Sequence, residues 1–96
     1  VHIVVNHLRL RDPLPASTAE RLQDVVESVV AAGGLGARIA QVDERHLILI
    51  LHFATPEDAE RIAREVGGPW MREHIVPLLA AGTDRSVGEV IAAAGS

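Results

Sequence analysis

The residues best suited to chemistry lie at two places in the chain. Asn6 is a polar residue inside the apolar run from Val1 to Leu10. A buried carboxamide must find partners for its donors and its acceptor. Asn6 therefore either bonds to neighbouring backbone or points into a cavity, where a ligand or a water would meet it. The second place is Gly67-Gly68-Pro69-Trp70-Met71-Arg72-Glu73-His74-Ile75-Val76-Pro77, which holds the only Trp and the only Met. Trp70 and His74 are four apart, so on a helix they share a face. Met71, Ile75 and Leu78 form an apolar stripe beside them. An indole beside an imidazole suits a pocket wall, and it also suits a core helix with a surface histidine. Arg64 and Arg72 flank the stretch, and on a helix surface they would pair with Glu60, Glu65 or Glu73.

The other four histidines, His2, His7, His46 and His52, fall on the first and third strand-like segments, which are expected to be parallel neighbours. A metal centre needs three or four converging ligands. His2 and His7 point to opposite faces of one strand, and no His-x-His or Glu-x-x-His pair occurs, so no metal site is expected. With no Cys there is no thiolate chemistry. No Ser-His-Asp arrangement, phosphate loop or dinucleotide fingerprint is present.

The elements that must position these residues follow from periodicity and punctuation. Val1 to Leu10 reads as a strand rich in β-branched residues, with His2, Val4, Asn6, Leu8 and Leu10 on one face. Ser17 or Thr18 is a candidate cap for a helix carrying Leu22, Val25, Val26, Val29 and Val30, ended near Ala32 by Gly33-Gly34. Gly36 to Val42 is a weaker strand. After a turn at Asp43-Glu44, Arg45 to Phe53 is the strongest strand, apolar on both faces. Thr55-Pro56-Glu57 starts a second helix with Ala59, Ile62, Ala63 and Val66 inward. Gly67-Gly68 should end it and Pro69 begin a further helix. Arg85 to Ala93 reads as the last strand.

The order β-α-β-β-α-β predicts an α+β ferredoxin-like sandwich, one domain over residues 1–96. Its four-stranded antiparallel sheet would carry helices on one face. Two helices cover one face only. The other, expected to carry Ile3, Val5, Leu47, Leu49 and Leu51, calls for a second copy of the sheet, a two-fold homodimer. All 9 basic residues are arginine, against 13 acids, for a net charge of −4. That balance, with Phe53 and Trp70 as the only aromatics, argues against a nucleic-acid surface. No apolar run approaches the roughly 20 residues a membrane span needs, so no membrane partner is expected and the expected compartment is the cytoplasm.

Three features together resemble the antibiotic biosynthesis monooxygenase family of dimeric α/β-barrel proteins. They are Asn6 on the first strand, the junction Phe53-Ala54-Thr55-Pro56-Glu57-Asp58-Ala59, and Trp70 to His74 before Pro77-Leu78-Leu79. The resemblance covers nearly the whole chain in length and element order. It implies a ferredoxin-like protomer, a homodimer joined through its sheets, and a pocket between sheet and helices. Some members oxidise polyphenols or quinols with O₂ and no cofactor, and a related branch binds and degrades haem. In that branch a strand Asn, a helix Trp and a His act together. Asn6 matches the Asn, His74 matches the iron-binding His, and the Trp position falls near Arg64, while Trp70 sits one turn before His74.

On this resemblance the expected function is a cofactor-independent monooxygenase for an aromatic polyphenol or quinol. A haem-binding or haem-degrading relative and a non-catalytic small-molecule-binding dimer are the alternatives. Cofactor-free oxygenation must deprotonate a phenolic substrate and hold its anion beside O₂. His74 is then the expected base, Asn6 the donor to the phenolate, and Trp70 with Leu8, Ile50 and Ile75 the wall. Arg64 and Met71 complete the expected substrate-binding set.

Overall fold

The computed structural model describes residues 1–95. Four strands form one sheet: β1 (His2–Arg9), β2 (Gly36–Asp43), β3 (His46–Phe53) and β4 (Asp84–Glu89). Their order is β2-β3-β1-β4, and every neighbouring pair is antiparallel. This is the α+β ferredoxin-like sandwich that the element order predicts. One expectation changes: β1 and β3 run antiparallel, not parallel. The helical crossover returns β2 in the direction of β1, and the tight β2–β3 turn then reverses the chain. That turn is held by the Asp43 carboxylate, which accepts from the Arg45 N–H at 2.8 Å. β4 stops at Glu89 instead of running to Ala93, because its partner runs out: His2 pairs with Glu89, and Val90 N–H bonds the carbonyl of Val1 at 2.9 Å.

Alternation decides which side chains face the helices. Val4 and Leu8 of β1, and Leu47 and Phe53 of β3, are buried, so residues in step with them point inward. Leu49 and Leu51 belong to this inner set, paired with Asn6 and Val4. The sequence reading placed Leu47, Leu49 and Leu51 on the open face, and the register corrects it. The open face carries Ile3, Val5 and His7 against His52, Ile50 and Ile48. His7 Nδ1 and His46 Nε2 share a hydrogen bond of 3.0 Å there.

The first crossover is two pieces rather than one helix. A short α1 (Ala16–Ala19) precedes α2 (Leu22–Ala31), with Glu20 and Arg21 between them. Ser17 and Thr18 lie inside α1 and cap nothing, since neither α1 nor α2 has a side-chain cap bond. Gly33 ends the crossover as expected, at φ 119°, a left-handed conformation that favours glycine. α3 (Pro56–Ile62) starts as its sequence demands: the Thr55 hydroxyl accepts from the Asp58 N–H at 3.1 Å, and Pro56 fills the first turn.

Gly67-Gly68 does not break the second crossover. The chain passes from α3 through one π-helical turn (Ala63–Gly67) into α4 (Gly68–His74), then a 3₁₀ turn at Val76–Leu78. The cause is Pro69, which has no N–H and whose ring would strike the carbonyl four residues back. The helix accommodates it by widening, so that the Gly68 N–H bonds the carbonyl of Ala63. A Cβ at Gly68 would sit 2.7 Å from that carbonyl oxygen, so the turn requires glycine there.

The core that results has two parts. Val4, Val29, Phe53, Ala59 and Ile62 pack at one end, and Leu8, Leu10, Leu47 and Ile75 at the other. Leu47 is 1% exposed. Leu47→Ala should lower the unfolding free energy by about 2–5 kcal/mol in urea denaturation, the cost of a cavity in a closed core.

Candidate functional site

The gap between the two core clusters is the site. On β1 the inward series runs Val4, Asn6, Leu8, and Asn6 stands where the core divides. Opposite it the second crossover presents Ala63, Gly67 and Gly68, residues with little or no side chain, at the π turn. Two cavities open there. The larger, of about 270 Å³, is lined by Asn6, Val4, Leu51 and Phe53 from the sheet and by Ala63, Met71 and Val76 from the crossover, with Arg72, Thr83 and Arg85 as its other polar residues. The smaller, of about 30 Å³, is apolar and lies among Leu8, Leu47, Val25, Trp70 and Ile75. Leu49, Leu51, Gly67 and Met71 line both.

Asn6 Oδ1 is buried and receives no hydrogen bond from any described residue. A buried acceptor without a donor costs about 1–3 kcal/mol. Asn6 is the polar residue at the middle of the inner face of β1, where His2 stands at the strand's end. Arg72 and Arg85 contribute the site's charge. Neither makes an ion pair or a side-chain hydrogen bond among the described residues. No Asp or Glu lines the larger cavity.

The expected site residues divide among several places. Asn6 and Met71 line the larger cavity, while Leu8, Trp70, Met71 and Ile75 line the smaller. Ile75 is fully buried, at 0% exposure. Trp70 and His74 do share a face, their rings tilted together with centroids 4.9 Å apart. His74 nevertheless lines neither cavity, and its Nε2 lies 3.8 Å from the Glu73 carboxylate. Arg64 lines an open cleft with His2, Glu60 and Val87 rather than the larger cavity. Its expected pairing with Glu60 does not form. The crossover's ion pairs belong to Arg61, with Asp58 and Glu65 at 3.6 Å each. Ile50 points to the opposite face of the sheet, opposite Val5, and cannot line the site. Among the described residues no group of three or more potential metal ligands converges.

Phe53, Arg72, Thr83 and Arg85 were missed as site residues. Arg85 is the register partner of Asn6 across β1 and β4, a pairing that single-sequence reading does not reveal. Arg72 did carry a signal. The positions three and four away, Gly68, Pro69, Ile75 and Val76, offer it no acid.

No protein-family model and no curated protein sequence matches this chain. Solved structures do match. A Nitrosomonas europaea protein assigned as an antibiotic biosynthesis monooxygenase superposes with a TM-score of 0.83 at 13% identity, over 98% of this chain and 93% of that one. SnoaB, a cofactor-independent oxygenase from Streptomyces nogalater, superposes with a TM-score of 0.78 at 9% identity, over 96% and 94%. This chain has the fold of the antibiotic biosynthesis monooxygenases. A form of MhuD with two manganese protoporphyrins bound per active site shares that fold, with a TM-score of 0.61 at 17% identity over both full chains.

For a porphyrin held by His74, the haem branch of the resemblance calls for His74 and Asn6 at one ligand; here the His74 ring lies tilted against Trp70 and lines neither cavity beside Asn6.

The orphaned acceptor gives a direct test of the site's cost. Asn6→Leu replaces a buried unpaired amide with a side chain of similar shape. It should raise the unfolding free energy by about 1 kcal/mol in urea denaturation. A loss of stability would mean that the amide is satisfied in solution.

Proposed function

We propose that this chain is a small cofactor-independent monooxygenase that takes an aromatic polyphenol or quinol into the cavity beside Asn6. The observation that carries the reading is Asn6, whose buried Oδ1 has no partner among the described residues, in the lining of a cavity with apolar walls and two arginines that make no ion pair. In this reading the carboxamide turns about its terminal bond, to accept from a phenolic O–H or to donate an N–H to the phenolate. Arg72 and Arg85 add positive charge, which favours the ionised substrate. The electron-rich anion then reduces O₂. Where a ring CH₂ becomes C=O, one oxygen atom enters the substrate and the other leaves as water, and the substrate supplies all the electrons.

In this reading Trp70 and His74 work as a tilted ring pair that fixes α4 and sets Met71 against the sheet. His74 is a support and not the base, because it does not line the cavity that holds Asn6. Oxygen uptake with a panel of anthrone-like and quinol substrates tests the assignment. Asn6→Leu should lower kcat/KM by on the order of 10²-fold, the scale of losing one preorganised partner of a developing anion. Gly67→Leu should block turnover by filling the cavity, since a Cβ added at Gly67 meets nothing within 4 Å. His74→Ala should leave turnover within roughly threefold of the parent. Parent-like rates in both Asn6→Leu and Gly67→Leu would refute the site. Binding without turnover of any substrate would put a non-catalytic binding module in its place.

The same reading includes a homodimer through the open face of the sheet. Ile3, Val5, Ile48 and Ile50 form a central apolar patch there, and no helix covers it. A second copy closes this face with two-fold symmetry. Ile50→Asp would place a charge at the centre of that contact and should convert the dimer to monomers in sedimentation. A parent chain that sediments as a stable monomer would remove the argument.

A further inference from the structure

We propose that the homodimer is proton-controlled: the face that joins the two copies carries three histidines, and protonating them drives the copies apart. This rests on the reading of the open sheet face as the dimer contact and adds the regulation of that contact.

Of the five histidines in the chain, His7, His46 and His52 stand on the open face, in step with Ile3, Val5, Ile48 and Ile50. They bracket the apolar patch. At one end His7 lies directly opposite Ile48 and is hydrogen-bonded to His46. At the other end His52 lies directly opposite Ile3, with its Nδ1 3.7 Å from where a side chain on Gly36 would begin. All three rings are half-buried before any partner arrives. Strands of six to eight residues, four of them about 4.8 Å apart and rising about 3.4 Å per residue, make a face of roughly 500 Å². A stable interface covers about 800 Å² on each partner, so a second copy on this face covers the histidines together with the patch.

Neutral rings suit a covered surface. One ring of the His7–His46 pair donates and the other accepts, so each satisfies a polar atom of the other. The fixed charges around them balance. Arg9 of β1 and Asp43 of β2 lie opposite His46, Asp84 of β4 lies opposite His7, and Arg38 of β2 lies opposite Ile50. In the adjoining turn Glu44 and Arg45 face each other at 4.0 Å. Protonation upsets both conditions. One added proton is shared across the His7–His46 bond, but a second leaves two cationic rings, centroids 5.2 Å apart, with donors facing and no acceptor between them. With His52 the face gains up to three positive charges, and a two-fold contact sets that face against itself. Charges covered without partners cost far more than exposed ones. The chain's net charge of −4 lies off this face and is screened beyond about 8–10 Å. The dimer therefore binds fewer protons than two free chains. By linkage its association is strongest above the range in which imidazole titrates and weakens as pH falls through it.

Sedimentation equilibrium across a pH series measures the effect, with circular dichroism at each pH to show that the chain stays folded. The parent should dimerise at about pH 8, and its dissociation constant should rise roughly tenfold or more by about pH 5.5, still above the range in which carboxylates titrate. The triple variant His7→Gln, His46→Gln, His52→Gln keeps neutral polar side chains on the face. It should dimerise at both pH values, with a change of less than about threefold. The double variant His2→Gln, His74→Gln alters the two histidines that lie off this face and should keep the parent's response. A parent dimer equally tight at both pH values would overturn the proposal and leave the dimer standing. A triple variant that retains the parent's response would overturn it too, and so would a double variant that loses it. A parent that is monomeric at about pH 8 would remove the dimer reading and this one with it. The parent series and the double variant leave the open face unmodified, so the outcome does not depend on the triple variant folding.

Discussion

The structure depends on how one face of a four-stranded sheet is covered by helices that cannot close over it completely. α2 and the α3-to-α4 crossover bury the inner face at its two ends, around Phe53 and Ile62 and around Leu47 and Ile75. Between those ends the sheet presents an amide and the crossover presents glycines. A continuous core would have placed a large apolar side chain on each side. Interiors otherwise pack with few voids, so a cavity at this position is a property of the residues that face it. Each contributes by what it lacks: Asn6 has no apolar bulk, Gly67 and Gly68 have no side chain, and Pro69 has no N–H, which forces the π turn that carries them.

Much of the fold was legible because strands and helix starts carry local signals. The strand pattern of Val1 to Leu10 and Arg45 to Phe53 and the cap at Thr55 needed no tertiary information. The errors came from steps that do. A strand apolar on both faces shows which residues go together but not which set faces the helices, so Leu49 and Ile50 were assigned to each other's sides. The reach of β4 depends on how far β1 extends. The glycines and Pro69 were read as a stop and a start, yet both are compatible with a helix that widens by one residue.

The site was half legible for the same reason. Asn6 stood out because a polar residue in the middle of an apolar strand needs a partner, and that logic holds without a structure. Trp70 and His74 stood out because they are rare and share a helix face, and they do touch. Spacing along a helix cannot say where that face points, and here Met71, one residue on, reaches the cavity while His74 does not. Arg85 enters through strand register, which is non-local. The π turn also shifts the crossover's angular phase, so extrapolating a 3.6-residue period from Ile62 into α4 loses its aim.

The two faces of β3 divide the demands on this small chain. Leu47, Leu49, Leu51 and Phe53 build the wall behind the cavity and the core on either side of it. Ile48 and Ile50 lie on the surface that a second copy would cover. A strand with a period of two can serve both because a change at one position leaves the next residue's face in place. The arrangement also limits what the chain can vary. Removing a large inner side chain costs stability directly, through the closed clusters at each end. The stretch with freedom to change is the gap itself, at Asn6, Gly67, Arg72 and Arg85, which belong to neither core cluster. A fold that fixes its ends and leaves its middle unfilled can therefore hold its architecture constant while the chemistry of the middle is rewritten. That is the physical basis for the separation seen here between a fold shared at 9–17% identity and a site whose residues must be argued one by one.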